Sequence, residues 1–449
     1  MLRNWKEILF LAIPSLVSFA SATVVGTINL IIVGQLGSLI IAIVGVSNII
    51  MYNAFALFSG IGHTVNYLVA QNFGAGDMKR GIQRTYIAMY MCIVFALLIA
   101  LVGLVGADDV LRWTGGSANL VRTGSFYLEL RFYAMSFGII NFAFHGFLRG
   151  IGATKMSMVV SLMANIPILS LTYLLTYGKF GFPELGLKGA GYATLIGESA
   201  QTLICAFIFF VVLNRKFQTR KYLTLTFKWI EMKLIMLESG KLGMQEFSLS
   251  LSMYIFTAFV ARLGDQALAA NEVALSIMSF GFMPAFAFGS TATILVGQFV
   301  GKGTPLLGRR VGTDTAVLGS IFLILLGTGE FIFADQITHL YTDDAKVYEL
   351  AANLIRTSAY LQIFDGLLNF YAGGLRGIGD TTFLLRISFV VSWFLFVPLA
   401  YLFIFVLDMG SMGAWLSLYT FLMVFGLSVM FRFYRTDWTA VRLKEAAHE

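Results

Sequence analysis

Gly146–Lys155 reads GFLRGIGATK and Gly373–Thr382 reads GGLRGIGDTT. Seven of the ten positions are identical, and the offset between the segments is 227 residues (373 − 146). The same offset aligns Gln71-Asn72-Phe73-Gly74-Ala75-Gly76 with Gln298-Phe299-Val300-Gly301-Lys302-Gly303. It also aligns Leu36-Gly37 with Leu263-Gly264. Three landmarks sharing one offset mean that half of the chain is written twice. Each half is a run of about six hydrophobic segments, which implies a membrane protein of two related bundles. Internal repeats of this kind are a signature of secondary transporters.

Composition supports the membrane reading. Hydrophobic residues make up 58% of the chain and charged residues 12%, and mean hydropathy is +0.81. Soluble domains carry roughly 25% charged residues, so this chain lacks the polar groups to cover a water-exposed surface of its size. The net charge of +7 is spread between hydrophobic spans and is not a nucleic-acid signal. Cys92 and Cys205 both fall in apolar stretches and read as buried thiols with no disulfide. Met1–Lys6 is short and basic, and the apolar run from Ile8 has no small-residue cleavage pattern.

A spanning helix needs about 20 mostly apolar residues. Twelve candidates follow: 8–33, 40–69, 85–105, 121–147, 156–177 and 189–213, then 240–261, 267–299, 311–333, 348–374, 383–407 and 413–433. The expected organisation is an N-lobe at 1–213, a polar linker at 214–238 and a C-lobe at 239–449 with a short tail. If Met1 is cytoplasmic, the Lys- and Arg-rich segments (around Arg80, Arg149, Arg220, Arg310, Arg376 and Arg435) all lie on the cytoplasmic side. The opposite loops are poorer in Lys and Arg and carry Asp108, Asp109, Glu184, Asp265, Asp343 and Asp344. The positive-inside bias therefore puts both termini in the cytoplasm.

Gly150/Gly152 and Gly377/Gly379 follow an Arg at cytoplasmic helix ends and read as turn residues. Arg149 and Arg376 either cap the last carbonyls of the preceding helix or meet anionic headgroups.

The twelve spans, the repeat, Ala70–Gly76 with its counterpart Gly297–Gly303, LRGxGxT after spans four and ten, and Ala261–Ala270 together resemble the MATE (multidrug and toxic compound extrusion) family in its bacterial form. The likeness covers essentially the whole chain. It implies an all-α polytopic fold of twelve transmembrane helices in two pseudo-symmetric six-helix lobes. It also implies export of lipophilic organic cations, driven by Na+ or H+ entry, by alternating access through a cleft between the lobes. A monomer in the inner membrane is expected, in contact with lipid, with no nucleic-acid partner, no cofactor and no enzymatic activity. The rival within the superfamily is a flippase of lipid-linked oligosaccharides, which would need several basic residues in the cleft.

An acid at bilayer depth is costly and is a functional candidate by default. Asp365, mid-span ten, matches the helix-ten Asp that the family associates with cation coupling, and is a possible Na+ ligand. The family's helix-one Asp falls here on Asn29, which can ligate a cation or bond a substrate but cannot titrate. The family's helix-five acid is also absent, with Thr172 near its place. The helix-seven Glu position falls on Leu249. Glu246 sits three residues earlier and either substitutes for it or is hydrated near the cytoplasmic interface. Glu198, mid-span six, either replaces the missing helix-one carboxylate or bonds a neighbouring helix. Glu129 and Arg131 read as a structural charge network, and Glu272 and Glu330 as acids satisfied by water or a loop. His63 and His145 either titrate near neutral pH or make one structural hydrogen bond. The chain has no HExxH, CxxC or P-loop pattern.

Overall fold

A computed structural model of the chain describes residues 2–114, 117–223, 228–340 and 343–445. Helices account for nearly all of it. The first half runs α1 (Leu2–Gly34), α2 (Ser38–Gly74), α3 (Met78–Trp113), α4 (Ala118–Gly150), α5 (Thr154–Tyr177), α6 (Leu187–Phe207) and the short α7 (Asn214–Phe217). The second half runs α8 (Trp229–Ala261), α9 (Asp265–Gly301), α10 (Pro305–Ile332), α11 (Ala334–His339), α12 (Ala345–Ser358), α13 (Ile363–Ile378), α14 (Thr381–Val391), α15 (Val397–Tyr401) and α16 (Gly410–Arg435). Single π-helical turns at Ile208–Val212, Ser392–Phe396 and Leu402–Val406 extend α6, α14 and α15.

Every one of the twelve expected spans falls on a helix or on a pair of consecutive helices. Nine helical stretches among the described residues are long and apolar enough to cross a membrane. The three spans outside that set are α4, α8 and the pair α12–α13. They carry the polar load: Glu129 and Arg131 in α4, Glu246 in α8, Asp365 in α13. The tenth span is also broken at residues 359–362. α8 begins eleven residues before the span expected at Gly240, inside the stretch read as polar linker.

The described chain divides into two compact units. One comprises 1–16, 70–76 and 244–444. The other comprises 17–69, 77–243 and 445–449. The boundaries inside α1 and α8 obey the repeat, since 243 − 16 = 227.

The repeat is also visible inside each unit as matched close approaches between helices. In the second unit a Cβ on Gly146 would lie 2.7 Å from the Gly62 carbonyl oxygen, and one on Gly62 3.2 Å from the Phe142 carbonyl oxygen. In the first unit Gly373 meets the Gly289 carbonyl, and a Cβ on Gly289 would lie 2.6 Å from the Asn369 carbonyl oxygen. Each residue of the second set is its counterpart plus 227. Without a hydrophobic force between helices in lipid, close backbone packing at small residues holds such bundles together.

Aromatic hubs fill the space around these contacts. Phe209 packs edge-on against Tyr86, Phe144 and Phe147 in one unit. Phe433 packs against Tyr371, Tyr434 and Trp438 in the other. Cys92 and Cys205 are buried free thiols.

The two motif glycines in each LRGxG have different jobs. Gly152 and Gly379 adopt φ of +78° and +80°, a left-handed cap that other residues enter only with strain. Gly150 and Gly377 do not act as turn residues, contrary to expectation. Both are helical, and their missing side chains let α4 lie against Val69 and α13 against Val296, at 2.7 and 2.9 Å from an added Cβ. Arg376 is buried, and Arg149 lies over the Phe19 ring at 4.7 Å.

Candidate functional site

Asp365 is not mid-helix. The tenth span breaks after Ser358, and Asp365 lies in the first turn of α13, where helix polarity favours a carboxylate. The break has a side-chain cause. Gln362 Nε2 donates to the Ala359 carbonyl at 2.8 Å and to Glu330 Oε2 at 2.8 Å. Gly327 and Gly281 leave room for the Ala359 carbonyl and the Gln362 side chain. Glu330 is therefore buried and held by Gln362, rather than by water or a loop.

Asn369, one turn on, donates to the Asp365 carbonyl at 2.9 Å and to Oδ1 at 3.2 Å. Glu246, from α8, lies within electrostatic range of Asp365 and of the Arg376 guanidinium. The tertiary structure thus brings Asp365 and Glu246 into one neighbourhood, 119 residues apart in sequence. Glu246 thus faces two groups of opposite sign on α13, Asp365 and, eleven residues further along, Arg376, and two carboxylates with one guanidinium carry one excess negative charge that Na+ or H+ would offset.

Glu198 and Asn29 meet in the other unit. Both line a cavity of about 190 Å³ together with Asn48, Tyr127, Arg131, Asn165 and Thr194. Asn141 Nδ2 donates to Glu198 Oε2 at 3.1 Å, and Thr202 ties down the Asn141 oxygen at 2.9 Å. The Asn29 Oδ1 is buried with no hydrogen-bond partner among the described residues. Asn29, Asn48, Tyr127, Arg131 and Thr194 lie on the halves of their helices nearer to Gly34, Ser38, Ala118 and Leu187, while Asn165 and Glu198 lie near the middles of α5 and α6.

Repeat arithmetic links Glu198 to Asp365. The counterpart of Asp365 is Gly138 (365 − 227), and a Cβ there would lie 3.6 Å from Glu198 Oε2. Helix six therefore delivers a carboxylate to the place that the other unit fills from its tenth span. Composition could not show this, because the acid moved to a different helix.

Glu129 and Arg131 are each held by structural hydrogen bonds, on different sides of α4. Positions two apart point to different faces of a helix. Tyr133 donates to Glu129 at 2.6 Å, while Arg131 turns to the cavity and donates to Tyr127 and Asn48. His145 is held at both ring nitrogens, by Ser157 at 2.6 Å and Gln201 at 2.7 Å, which fits the structural alternative. Glu272 is exposed. Among the described residues no group of three or more His, Cys, Asp or Glu has metal-site geometry.

Near the start of α3, Glu231 from the first turn of α8 receives Arg84 Nε at 2.8 Å and two Arg80 nitrogens at 2.7 and 3.1 Å. Partial burial pushes the Glu231 carboxyl up, but the two arginines outweigh it and hold it below the usual range.

Comparison with known proteins fits this architecture. The MatE family model matches residues 14–174 and again 242–402. The two matches start 228 residues apart (242 − 14), one more than the motif offset. A probable multidrug resistance protein NorM of Thermotoga maritima is 26% identical over 92% of this chain and 88% of its own length. The probable multidrug resistance protein YoeA of Bacillus subtilis is 26% identical over 97% and 94%. An outward-facing structure of a multidrug resistance MATE family transporter superposes with a TM-score of 0.87 at 20% identity, covering 96% of both chains. A MOP superfamily transporter of Pyrococcus furiosus, described as having a binding pocket of reversed polarity, gives the same TM-score and identity, covering 96% of this chain and 97% of its own. The double match spans most of a chain whose own repeat, helix order and glycine packing are built the same way twice: this protein is a member of the MatE family.

Proposed function

We propose that the protein is a secondary active multidrug exporter, a cation/drug antiporter working by alternating access, with Na+ or H+ as the coupling ion. The observation that carries this reading is that Glu246 lies within electrostatic range both of Asp365 and of Arg376 in the membrane-spanning part of one unit. A coupling ion entering there neutralises the excess negative charge. Its release restores the charge and resets the transporter. No enzymatic step is part of the proposal. The names of the curated relatives point to drug efflux, and the Lys/Arg bias supports an inner-membrane protein with both termini in the cytoplasm. The flippase alternative calls for several basic residues at the substrate site, and the cavity of the second unit is lined by Arg131 as its one basic residue.

The test is ethidium efflux from proteoliposomes, with Na+ and pH gradients imposed separately, for the wild type and Asp365→Asn. Gradient-driven efflux that disappears in Asp365→Asn is expected, and the effective gradient names the ion. Efflux unchanged by Asp365→Asn would remove this coupling site.

A further inference from the structure

The last turns of α2 and α9 meet in a reciprocal contact that obeys the repeat. A Cβ on Gly74 would lie 2.0 Å from the Gln298 carbonyl oxygen, and one on Gly301 would lie 2.0 Å from the Gln71 carbonyl oxygen. Gln298 is the counterpart of Gln71, and Gly301 that of Gly74, at the offset of 227. Glycine at both places lets the two backbones touch. Residues 70–76 belong to the first unit together with the end of α9.

The chain's own tail ties down one of these two glutamines. Gln71 is fully buried. Its Nε2 donates to the Gly377 carbonyl at 2.8 Å, and its Oε1 accepts from the Lys444 backbone N–H at 2.8 Å. Lys444 Nζ donates to the Gly379 carbonyl at 3.2 Å. The tail therefore grips both the end of α2 and the LRGIG turn that Gln71 bonds.

Local bonds aim the tail at this place. Trp438, past the end of α16, is 2% exposed. Its indole N–H donates to the Phe433 carbonyl at 2.8 Å, and its ring packs edge-on against Phe433 at 4.8 Å. Asp437 accepts from the Thr439 N–H at 3.0 Å, and Arg442 donates to the Thr439 carbonyl at 2.8 Å. None of these bonds involves Gln71, so residues 436–440 form an anchor from which 441–444 reach it. Lys444 has Phe217 of α7 as its counterpart in the repeat (444 − 227), so the tail's grip follows from this half of the chain alone.

Alternating access needs helix ends from the two halves of the repeat to part when a path opens on their side. The Lys/Arg bias assigns the ends of α2 and α9 to the cytoplasm. If the end of α2 leaves α9, Gln71 must leave Gly377 and Lys444, which stay with α13 and α16. Water entering the opening would rehydrate the freed groups, so each broken bond has a modest net cost. A modest cost suits a contact that must break and reform in every cycle.

We propose that the C-terminal tail is a latch on the cytoplasmic gate, in which Lys444 holds Gln71 against the LRGIG turn and favours the state with the ends of α2 and α9 closed. The latch biases a two-state equilibrium without touching cargo or coupling ion. The proposal rests on the alternating-access reading.

The experiment uses the full-length protein in nanodiscs, with spin labels at Lys79→Cys and Leu306→Cys in a Cys92→Ala/Cys205→Ala background. These two exposed positions are counterparts in the repeat, just past the contact. Double electron–electron resonance reads the ratio of long to short distances while Na+ and pH are varied. Deleting residues 441–449 leaves the Trp438 anchor and should raise that ratio roughly three- to tenfold, the effect of one lost hydrogen bond. Lys444→Pro, which removes the N–H, should match the deletion. Lys444→Ala keeps the N–H and should shift the ratio less. A ratio unchanged in the deletion and in Lys444→Pro would overturn the proposal. So would a shift toward short distances, an equal effect of Lys444→Ala and Lys444→Pro, or a single distance under every condition. If the deletion variant fails to fold, the two point variants decide. Tail-dependent ratios without gradient-driven ethidium efflux would sink the export reading alone. Gradient-driven efflux with ratios indifferent to the tail would sink this one alone.

Discussion

Positions 19 and 149 in one unit and 246 and 376 in the other are the same two places in the repeat, 227 residues apart. In the first pair Arg149 lies over the ring of Phe19. In the second, Arg376 faces the charge of Glu246. A third place tells the same story, with Gly138 where the other unit has Asp365. The scaffold around them is common to both: Gly150 and Gly377 bring helices together in the same way, and Gly152 and Gly379 cap them in the same way. The lesson is that packing and chemistry are separable. The glycines set how near two helices come, and a neighbouring side chain then decides whether the buried arginine meets a ring or a carboxylate. In one unit this leaves an acidic pair suited to an ion. In the other it leaves a cavity with Arg131 and Glu198 on its wall.

The sharpest way to break the comparison is to attack the shared scaffold. Gly373→Val should abolish folding, because its side chain would overlap the Gly289 backbone. Gly146→Ala meets its partner at a longer 2.7 Å and should leave folded protein, destabilised by about 1–3 kcal/mol as for other overpacked sites. Size-exclusion profiles and melting temperatures in detergent check both. Equal outcomes would show that the matched contacts do not carry matched strain.

Next in size is exchange of the diverged chemistry. Glu246→Phe, which copies the other unit, should lower gradient-driven ethidium efflux by at least about tenfold, the cost of one lost charge interaction of roughly 1.4 kcal/mol or more. Phe19→Glu, the reverse exchange, should leave that efflux within about threefold, because Arg149 then gains a partner and no coupling acid is lost. Efflux lost equally in both would mean that the coupling function is shared between the units.

A smaller effect is expected at the caps. Gly379→Ala and Gly152→Ala force an alanine into the left-handed region, at about 1–2 kcal/mol each. The two melting temperatures should fall by similar amounts, since the φ values differ by only 2° (80 − 78).

The smallest effect lies at Glu231, whose counterpart in the repeat, position 4 (231 − 227), is Asn. Its carboxyl is held below the usual range, so its ion pairs contribute full stability above the ordinary Glu value of about 4.3. That contribution is lost as pH falls through the depressed native value. Glu231→Gln should lower the melting temperature by a few degrees at neutral pH, an order of magnitude set by a partly exposed ion pair. The difference from wild type should shrink on acidification toward pH 4 and below, read by thermal unfolding across pH.

Much of the fold was legible because it is written in spacing. The repeated LRGIG and the twelve apolar runs need no tertiary information, and each run fell on helix. The break in the tenth span was not legible. It contains no Pro or Gly at 359–362, and it depends on Gln362 finding Glu330 from another helix. Asp365 stood out as an acid in an apolar run, but its place at a helix start did not. Arg131 was visible as a membrane charge, but its partners Tyr127 and Asn48 were not, since Asn48 comes from another helix. The move of a carboxylate from span four to Glu198 in span six left no trace in the repeat, because Gly138 by itself says nothing about what approaches it.

The amino-acid sequence by itself determined the membrane class, the duplication, the family and the list of costly residues. Each of these rests on local composition or on the order of residues along the chain. Tertiary structure alone decided which of those residues share a site. The physical reason is the solvent. A helix in water shows its buried face as a hydrophobic stripe, whereas a helix in lipid is apolar toward both lipid and protein. Its inward face is unmarked, and only the packed bundle reveals that Asp365 lies with Glu246 and that Glu198 lies with Arg131.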